Sequence, residues 1–149
     1  MSWSDEELRK HIDAIGVEEL GRRYACRTIE KLNAAYANEG EAIEFADDED
    51  DWIDSTAFDG EGLTAEEYFW TILAALDAAR GHAGALWCIA DGPMSHLVGR
   101  DRSYAFRFHS LRSGSESMAG AFDAMQKDLD TCGLGHGFWA DDFPDRGFA

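Results

Sequence analysis

The chain has 149 residues, of which 30 are acidic and 13 are lysine or arginine, so its formal net charge is −17. A domain of this length buries about two-thirds of the surface that its unfolded chain exposes. Because 45% of the residues are hydrophobic, a true core is expected. The negative charge disfavours nucleic acid and anionic membrane as partners, since phosphate groups would be repelled.

The cysteines are three in number, Cys26, Cys88 and Cys132, and none forms a CxxC pair. An odd number of widely spaced cysteines argues against a disulfide framework and for reduced thiols. The N-terminus is acidic where a signal peptide would be basic and then apolar. No stretch reaches the roughly 18 apolar residues that span a bilayer. We therefore expect one cytoplasmic domain over residues 1–149.

Helix-start signals and helical spacing of apolar residues recur along the first half of the chain. Ser4 with Glu7, and Thr64 with Glu67, have the spacing of a capping box, in which each residue bonds the other's backbone N–H. Residues 41–54 are expected to add only a helical turn or two before a loop. The complete helices predicted in this half cover residues 4–15, 18–38 and 64–80.

The second half is less regular. Residues 83–90 are nearly all apolar and are predicted to be the most buried element, which the sequence Asp91-Gly92-Pro93 should end. Pro93 then suits the first position of a short helix, because its missing N–H costs nothing there. Residues 115–130 are predicted to form a last helix. Glycines and aromatic residues fill a tail at 133–149, which is expected to dock back on the domain.

Residues 102–111 leave the fold class open at one point. Tyr104, Phe106 and Phe108 alternate with other residues, which is a strand signal of period two. A single strand without a partner cannot form a sheet, so a helix is favoured. The sequence therefore predicts an all-α, single-domain bundle of about five or six helices. The alternative is an α+β domain with a short strand near 103–109.

The negative charge is concentrated in one part of the chain. No basic residue lies between Lys31 and Arg80, and this stretch contains 14 acidic residues. The acidic segment 39–67 is either a solvated surface or a docking surface for a basic protein, in which charge steers encounter and aromatic residues hold the complex. An EF-hand is rejected because its glycine and final glutamate positions are not matched. The candidate partner-binding residues are Asp47, Asp48, Glu49, Asp50, Asp51, Trp52, Asp54 and Phe58.

Sequence signals for catalysis are absent. There is no HExxH, GxSxG or P-loop motif, and no pair of histidines and no pair of cysteines has the spacing that places two metal ligands on one helix face. No cofactor and no metal site are therefore predicted. The one place with chemical promise is the expected helix start near Pro93, where free N–H groups would favour an anion. The candidate anion-binding residues are Gly92, Ser95, Arg100 and Arg102.

Residues 68–76 and 86–98 resemble a family of small bacterial helical proteins. In that family a Trp-bearing helix leads to an apolar helix that ends in Ala-Gly-Pro-Leu-Glu. The Gly-Pro pair at 92–93 matches, whereas Asp91 takes the Ala or Gly position and Met-Ser at 94–95 replaces Leu-Glu. The resemblance covers about a fifth of the chain and implies helical structure around the Gly-Pro pair. The family has no established activity, so the resemblance assigns no functional residues.

Three functions are compatible with these patterns. The leading hypothesis is a non-catalytic acidic binding protein, in the manner of an immunity protein or antitoxin that blocks a basic partner through segment 39–67. The second is a small enzyme or anion-binding protein that uses the helix start at 92–93. The third is an interaction module whose charge only confers solubility. The oligomeric state and the partner are left open.

Overall fold

The computed structural model describes residues 3–37 and 49–123. Seven α-helices have both ends within these ranges, which contain no strand, so the all-α prediction is confirmed and the expected count of five or six is too low. Residues 116–123 are also helical. The predicted part of this last helix at 124–130 and the tail at 133–149 lie outside the described residues. The seven helices are α1 (Asp5–Ile15), α2 (Val17–Ala37), α3 (Asp51–Asp59), α4 (Ala65–Ala78), α5 (Ala83–Ile89), α6 (Ser95–Arg100) and α7 (Ser103–Leu111).

Both predicted capping boxes are present. The Ser4 hydroxyl accepts from the backbone N–H of Glu7, whose carboxylate accepts from the backbone N–H of Ser4. Thr64 and Glu67 exchange the same two hydrogen bonds at the start of α4. Each box satisfies backbone donors that a helix end would otherwise leave unpaired.

The main packing contact joins α2 and α4, which cross closely at Gly21. A Cβ atom at Gly21 would lie 2.2 Å from the backbone oxygen of Thr71 and 2.8 Å from the Cβ of Ala74. Only glycine lets the two backbones approach so closely. Phe69, Ile72 and other apolar side chains of α4 are buried in the core.

Helix α3 corrects the prediction for the middle of the chain. Residues 51–59 are helical, whereas a loop was expected from residue 55. Trp52, Ile53 and Ala57 are buried, and their spacing places them on one face against the core. Gly60 ends the helix in the left-handed conformation, with φ 73°. The prediction failed because the acidic residues on the other face of this short helix obscured its apolar stripe.

The predicted break at residues 91–93 is also wrong. Helix α5 continues through a π-helical turn, Ala90–Met94, directly into α6. Proline in a helix interior lacks a donor and conflicts with the carbonyl four residues earlier, and Pro93 is accommodated by this wider turn. The hydroxyl of Ser95 donates to the carbonyl of Ala90 at 3.0 Å, which satisfies one acceptor of the turn.

The strand alternative at 103–109 is overturned, because Ser103–Leu111 is helix α7. Tyr104 and Phe108, four residues apart, are buried, whereas Phe106 between them is exposed. Tyr104 and Phe108 therefore follow the helical period of four, and both rings pack against Phe69. The exposed Phe106 between them produced the misleading alternation. Among the described residues, no helix is long and apolar enough to cross a membrane.

Substitution of Gly21 tests the close crossing of α2 and α4. In an open helix Gly→Ala stabilises by up to about 1 kcal/mol. We expect Gly21→Ala instead to lower the free energy of unfolding by about 1–3 kcal/mol, because the added Cβ overlaps a backbone oxygen. Chemical denaturation measures the change.

The matched control for this prediction is Gly84→Ala in α5. There the closest atoms to an added Cβ, at 3.3 and 3.4 Å, are the ends of the Tyr36 and Leu32 side chains. These side-chain ends can move, so this variant should lose far less stability. Equal losses in the two variants would contradict the close crossing at Gly21.

Candidate functional site

A cavity of about 580 Å³ lies between α2, α3 and the helix formed by α5 and the π turn. Its volume is in the range of small-molecule sites, about 300–1,000 Å³, and most of its lining is apolar. We call it the α2–α3 cavity. Its described lining residues are Tyr24, Thr28, Lys31, Leu32, Asp54, Ser55, Phe58, Trp87, Cys88, Asp91 and Gly92.

Helical spacing brings these residues to the cavity from three elements. Tyr24, Thr28 and Lys31 follow one another at intervals of four and three residues, so they share one face of α2. Trp87 and Asp91 are four residues apart across the junction of α5 and the π turn. The cavity is therefore a property of the packed helices, and no single sequence segment contains it.

Asp54 is held at one wall by two cations from α2. Arg27 donates to both carboxylate oxygens at 2.9 Å, and Lys31 Nζ donates to Oδ2 at 2.7 Å. Burial alone would raise the pKa of Asp54, but the hydrogen bonds from Arg27 and Lys31 outweigh burial and lower it. Asp54 is therefore ionised at neutral pH, and its charge is shared within an ion-pair cluster that joins α2 to α3.

Phe58 links the cavity wall to α4 and α6. Its carbonyl accepts hydrogen bonds from the Tyr68 hydroxyl and from His96 Nδ1, the latter at 2.8 Å. Its ring meets the edge of the His96 ring at a centroid distance of 4.7 Å. A Cβ atom at Gly92 would lie 2.6 Å from Cε2 of Phe58, so only glycine at this position leaves room for the ring. The end of α3 is thus fixed against the π turn.

Two ionisable side chains of the cavity have raised pKa values. Burial raises the pKa of the Cys88 thiol, and the negative charge of Asp91 raises it further. Burial is also the main cause that raises the pKa of Tyr24, with the carboxylates of Asp54 and Asp59 adding to it. Both groups are protonated at neutral pH. Because the thiolate is the nucleophilic form of cysteine, Cys88 is a poor nucleophile.

The structure distributes the candidate partner-binding residues among different roles. Asp47 and Asp48 lie outside the described residues, whereas Glu49 and Asp50 are exposed just before α3. Asp51 accepts a 2.9 Å hydrogen bond from the indole N–H of Trp3.

The two aromatic anchor candidates of the acidic segment differ in exposure. Trp52 is only 3% exposed and stacks on His11, with centroids 4.9 Å apart. It belongs to the core and cannot serve as a surface anchor. Phe58 is 43% exposed and lines the cavity, as does Asp54. The described part of the acidic segment is thus engaged largely within the molecule, and docking of a basic partner remains a prediction.

The geometry behind the predicted anion site is not present. Gly92 is buried inside a continuous helix, so no helix begins there and no free N–H groups are presented to an anion. The Ser95 hydroxyl bonds within the π turn, and Arg100 donates to the carbonyl of Leu63 at 2.9 Å. Arg102 is exposed at the start of α7. Among the described residues, neither Arg100 nor Arg102 lines the cavity.

Sequence reasoning named three of the cavity residues, Asp54, Phe58 and Gly92, and assigned them to two unrelated sites. It missed the face of α2, where Thr28 and Lys31 follow Tyr24 at helical spacing beside the buried stripe. A helix face that mixes polar and aromatic residues in this way could have indicated a cavity wall. Within residues 3–37 and 49–123, no group of three or more His, Cys, Asp or Glu side chains is arranged to hold a metal ion.

Comparison with known proteins adds no assignment. No protein-family model, no curated protein and no solved structure matches the chain. The candidate function therefore depends on the geometry and chemistry of the chain's own residues.

The ion-pair cluster at Asp54 should be visible in the stability of the fold. We expect Asp54→Asn to lower the free energy of unfolding at neutral pH by about 1–3 kcal/mol, because the three charge-assisted hydrogen bonds from Arg27 and Lys31 lose their carboxylate acceptor at a half-buried position. The exposed pair of Asp77 with Arg80 provides the control, and Asp77→Asn should change stability by less than about 1 kcal/mol. Urea denaturation measures both.

The contribution of Asp54 to the free energy of unfolding depends on pH with a defined sign. The pKa of Asp54 in the folded state is below its ordinary value of 3.8, so its contribution is present above that pH and is lost as the pH falls through the folded-state pKa. The stability difference between wild type and Asp54→Asn should therefore shrink as the pH falls below that value. A difference that stays constant into strong acid would contradict the ion-pair account.

Proposed function

We propose that this protein is a non-catalytic binding protein that takes a small molecule in the α2–α3 cavity. The observation that carries the proposal is the cavity itself, about 580 Å³ in volume with a largely apolar lining and a few polar groups that converge on it. A concave apolar site with a small number of placed polar side chains is the usual form of a ligand pocket.

The construction of the walls supports this proposal. Three aromatic side chains, Tyr24, Phe58 and Trp87, offer surface for an apolar body. Hydroxyl and charged groups, including Thr28 and Ser55, offer hydrogen bonds that would orient a ligand. The π turn at the rim also fits, because single π turns inside α-helices occur frequently at functional sites.

Binding without a covalent step agrees with the chemistry of the cavity. The thiol of Cys88 is protonated at neutral pH because burial raises its pKa. Asp54 is engaged by Arg27 and Lys31 and so is not poised to take up a proton near neutral pH. Reversible recognition is therefore better supported than catalysis by these groups.

A fragment screen followed by amide NMR tests the proposal. We expect an amphipathic fragment with an apolar body to bind with a Kd at or below about 1 mM and to shift resonances of Thr28, Ser55 and Trp87. Filling the cavity with Ser55→Phe should weaken that binding at least tenfold. Ligand binding should also slow alkylation of Cys88, whereas the exposed thiol of Cys26 should react at an unchanged rate.

Ser110→Phe is the matched control for Ser55→Phe. Both hydroxyls donate to the backbone carbonyl three residues earlier in a helix, but Ser110 lies on α7, outside the α2–α3 cavity. This control should bind the fragment as wild type does, and thermal melting verifies that both variants are folded. Equal affinity of Ser55→Phe and wild type, or resonance shifts confined to other surfaces, would contradict the proposal.

A further inference from the structure

We infer that the ligand of the α2–α3 cavity is an uncharged aromatic molecule, and that the cavity discriminates against ionised molecules of the same shape. This inference rests on the proposed function and names its ligand class. It is carried by two features that occur together in the cavity. The charged side chains there have partners within the protein, and three helices contribute aromatic side chains to one lining.

The charged groups at the cavity wall balance one another. Lys31, Asp54 and Asp91 line the cavity. Arg27 donates to both carboxylate oxygens of Asp54 at 2.9 Å, and Lys31 donates to one of them at 2.7 Å. The wall therefore holds two cations and two carboxylates, and Asp91 also has a partner within the protein. No charged group of the described lining is without a partner.

This balance disfavours an ionised ligand. Most of the lining is apolar, so a charged group that enters the cavity loses its hydration. Coulomb attraction offsets this loss only where a charge of opposite sign is available to the ligand. A neutral molecule of the same shape makes the same apolar contacts and avoids the loss.

Side chains of the cavity themselves are subject to the same discrimination. Burial is the main cause that raises the pKa of the Cys88 thiol and of the Tyr24 hydroxyl, because it disfavours the charged form of each group. Both residues line the cavity. A wall that disfavours the ionised form of its own side chains does the same to a ligand that contacts it.

The aromatic part of the lining comes from three helices. Tyr24 belongs to α2, Phe58 to α3 and Trp87 to α5. Aromatic rings attract one another in edge-to-face or offset-stacked arrangements, and this attraction adds to the effect of buried area. For one pair of rings it is equivalent to about twofold to tenfold in affinity. An aromatic ligand is therefore favoured over a saturated one of similar size.

Three probes of nearly the same size test the discrimination by charge. 2-Phenylethanol is neutral, 2-phenylethylammonium has a cation in place of the hydroxyl, and phenylacetate carries a carboxylate. We expect 2-phenylethanol to bind the wild-type protein at least about tenfold more tightly than either ion at neutral pH. Amide NMR titration measures the dissociation constants and identifies the resonances that shift. Salt at about 0.15 M screens the net charge of −17.

Asp54→Asn tests whether the balance of charge causes this discrimination. The substitution leaves the cations of Arg27 and Lys31 at the wall without their carboxylate. The affinity for phenylacetate should then rise about tenfold relative to that for 2-phenylethanol. Lys31→Gln should instead raise the relative affinity for 2-phenylethylammonium, and it keeps the test decisive if thermal melting shows Asp54→Asn to be unfolded. The control Asp77→Asn removes an exposed carboxylate that does not line the cavity and should change neither ratio.

Trp87 tests the preference for an aromatic ligand. 2-Cyclohexylethanol has the chain and hydroxyl of 2-phenylethanol but a saturated ring. Trp87→Leu keeps an apolar wall without the indole, and Trp87→Phe keeps an aromatic face. The ratio of the affinities for the phenyl and cyclohexyl alcohols should fall about threefold or more in Trp87→Leu and stay close to the wild-type ratio in Trp87→Phe. Comparing ratios removes the difference in hydrophobicity between the two probes.

The outcomes separate this inference from the proposed function. An ion that binds the wild-type cavity as tightly as 2-phenylethanol would overturn the inference and leave small-molecule binding intact. An affinity ratio that Trp87→Leu leaves unchanged would do the same. Failure of 2-phenylethanol to shift the cavity resonances, while other fragments do so, would also overturn this inference alone. Failure of every probe and fragment at the cavity would overturn both.

Discussion

The position of Pro93 inside a helix is the constraint on which the candidate site depends. The helix from Ala83 to Arg100 cannot pass a proline with regular α geometry, and it contains a π turn there. The wider turn places Gly92 against the ring of Phe58. The end of α3 can then approach this helix closely, and the cavity forms beside the contact.

Two further sets of interactions keep α3 in place at that contact. The carbonyl of Phe58 accepts from Tyr68 and His96, which ties it to α4 and α6. At the other side, Asp54 is bound by Arg27 and Lys31 of α2. The bonds from Tyr68, Arg27 and Lys31 lie at partly buried positions, where they contribute more to the geometry than an exposed ion pair would. The cavity is therefore formed by contacts within the protein itself, and a preformed site of this kind would reduce the ordering that binding requires.

The sequence predicted the fold class well because its strongest signals are local. Capping boxes at Ser4 and Thr64 and the apolar stripe of α4 need no knowledge of neighbouring helices. The errors arose where tertiary packing overrides local rules. Pro93 is a helix start by local chemistry, but burial of the segments on both sides of it favours a continuous helix with a π turn.

The candidate site was only partly accessible to sequence reasoning for the same reason. Asp54 and Trp52 were predicted to be surface groups because they lie in the acidic segment. In the structure Trp52 is buried in the core, and Asp54 is bound by the two cations of α2. The packing of α2 against α3 and α5 determines which helix faces line the cavity. The residue spacing within one segment does not predict that packing. Tyr24 and Trp87, 63 positions apart in the sequence, line one cavity for this reason.

The contact between Gly92 and Phe58 is the most direct point at which to test this account. The measurement is the effect of Gly92→Ala on the free energy of unfolding, made once in the wild-type background and once in Phe58→Ala. With Phe58 present the added Cβ displaces the ring, so the substitution should destabilise. With the ring removed, alanine should stabilise the helix by up to about 1 kcal/mol, so the sign reverses. An effect of the same sign and size in both backgrounds would show that the π turn and α3 do not meet at this contact.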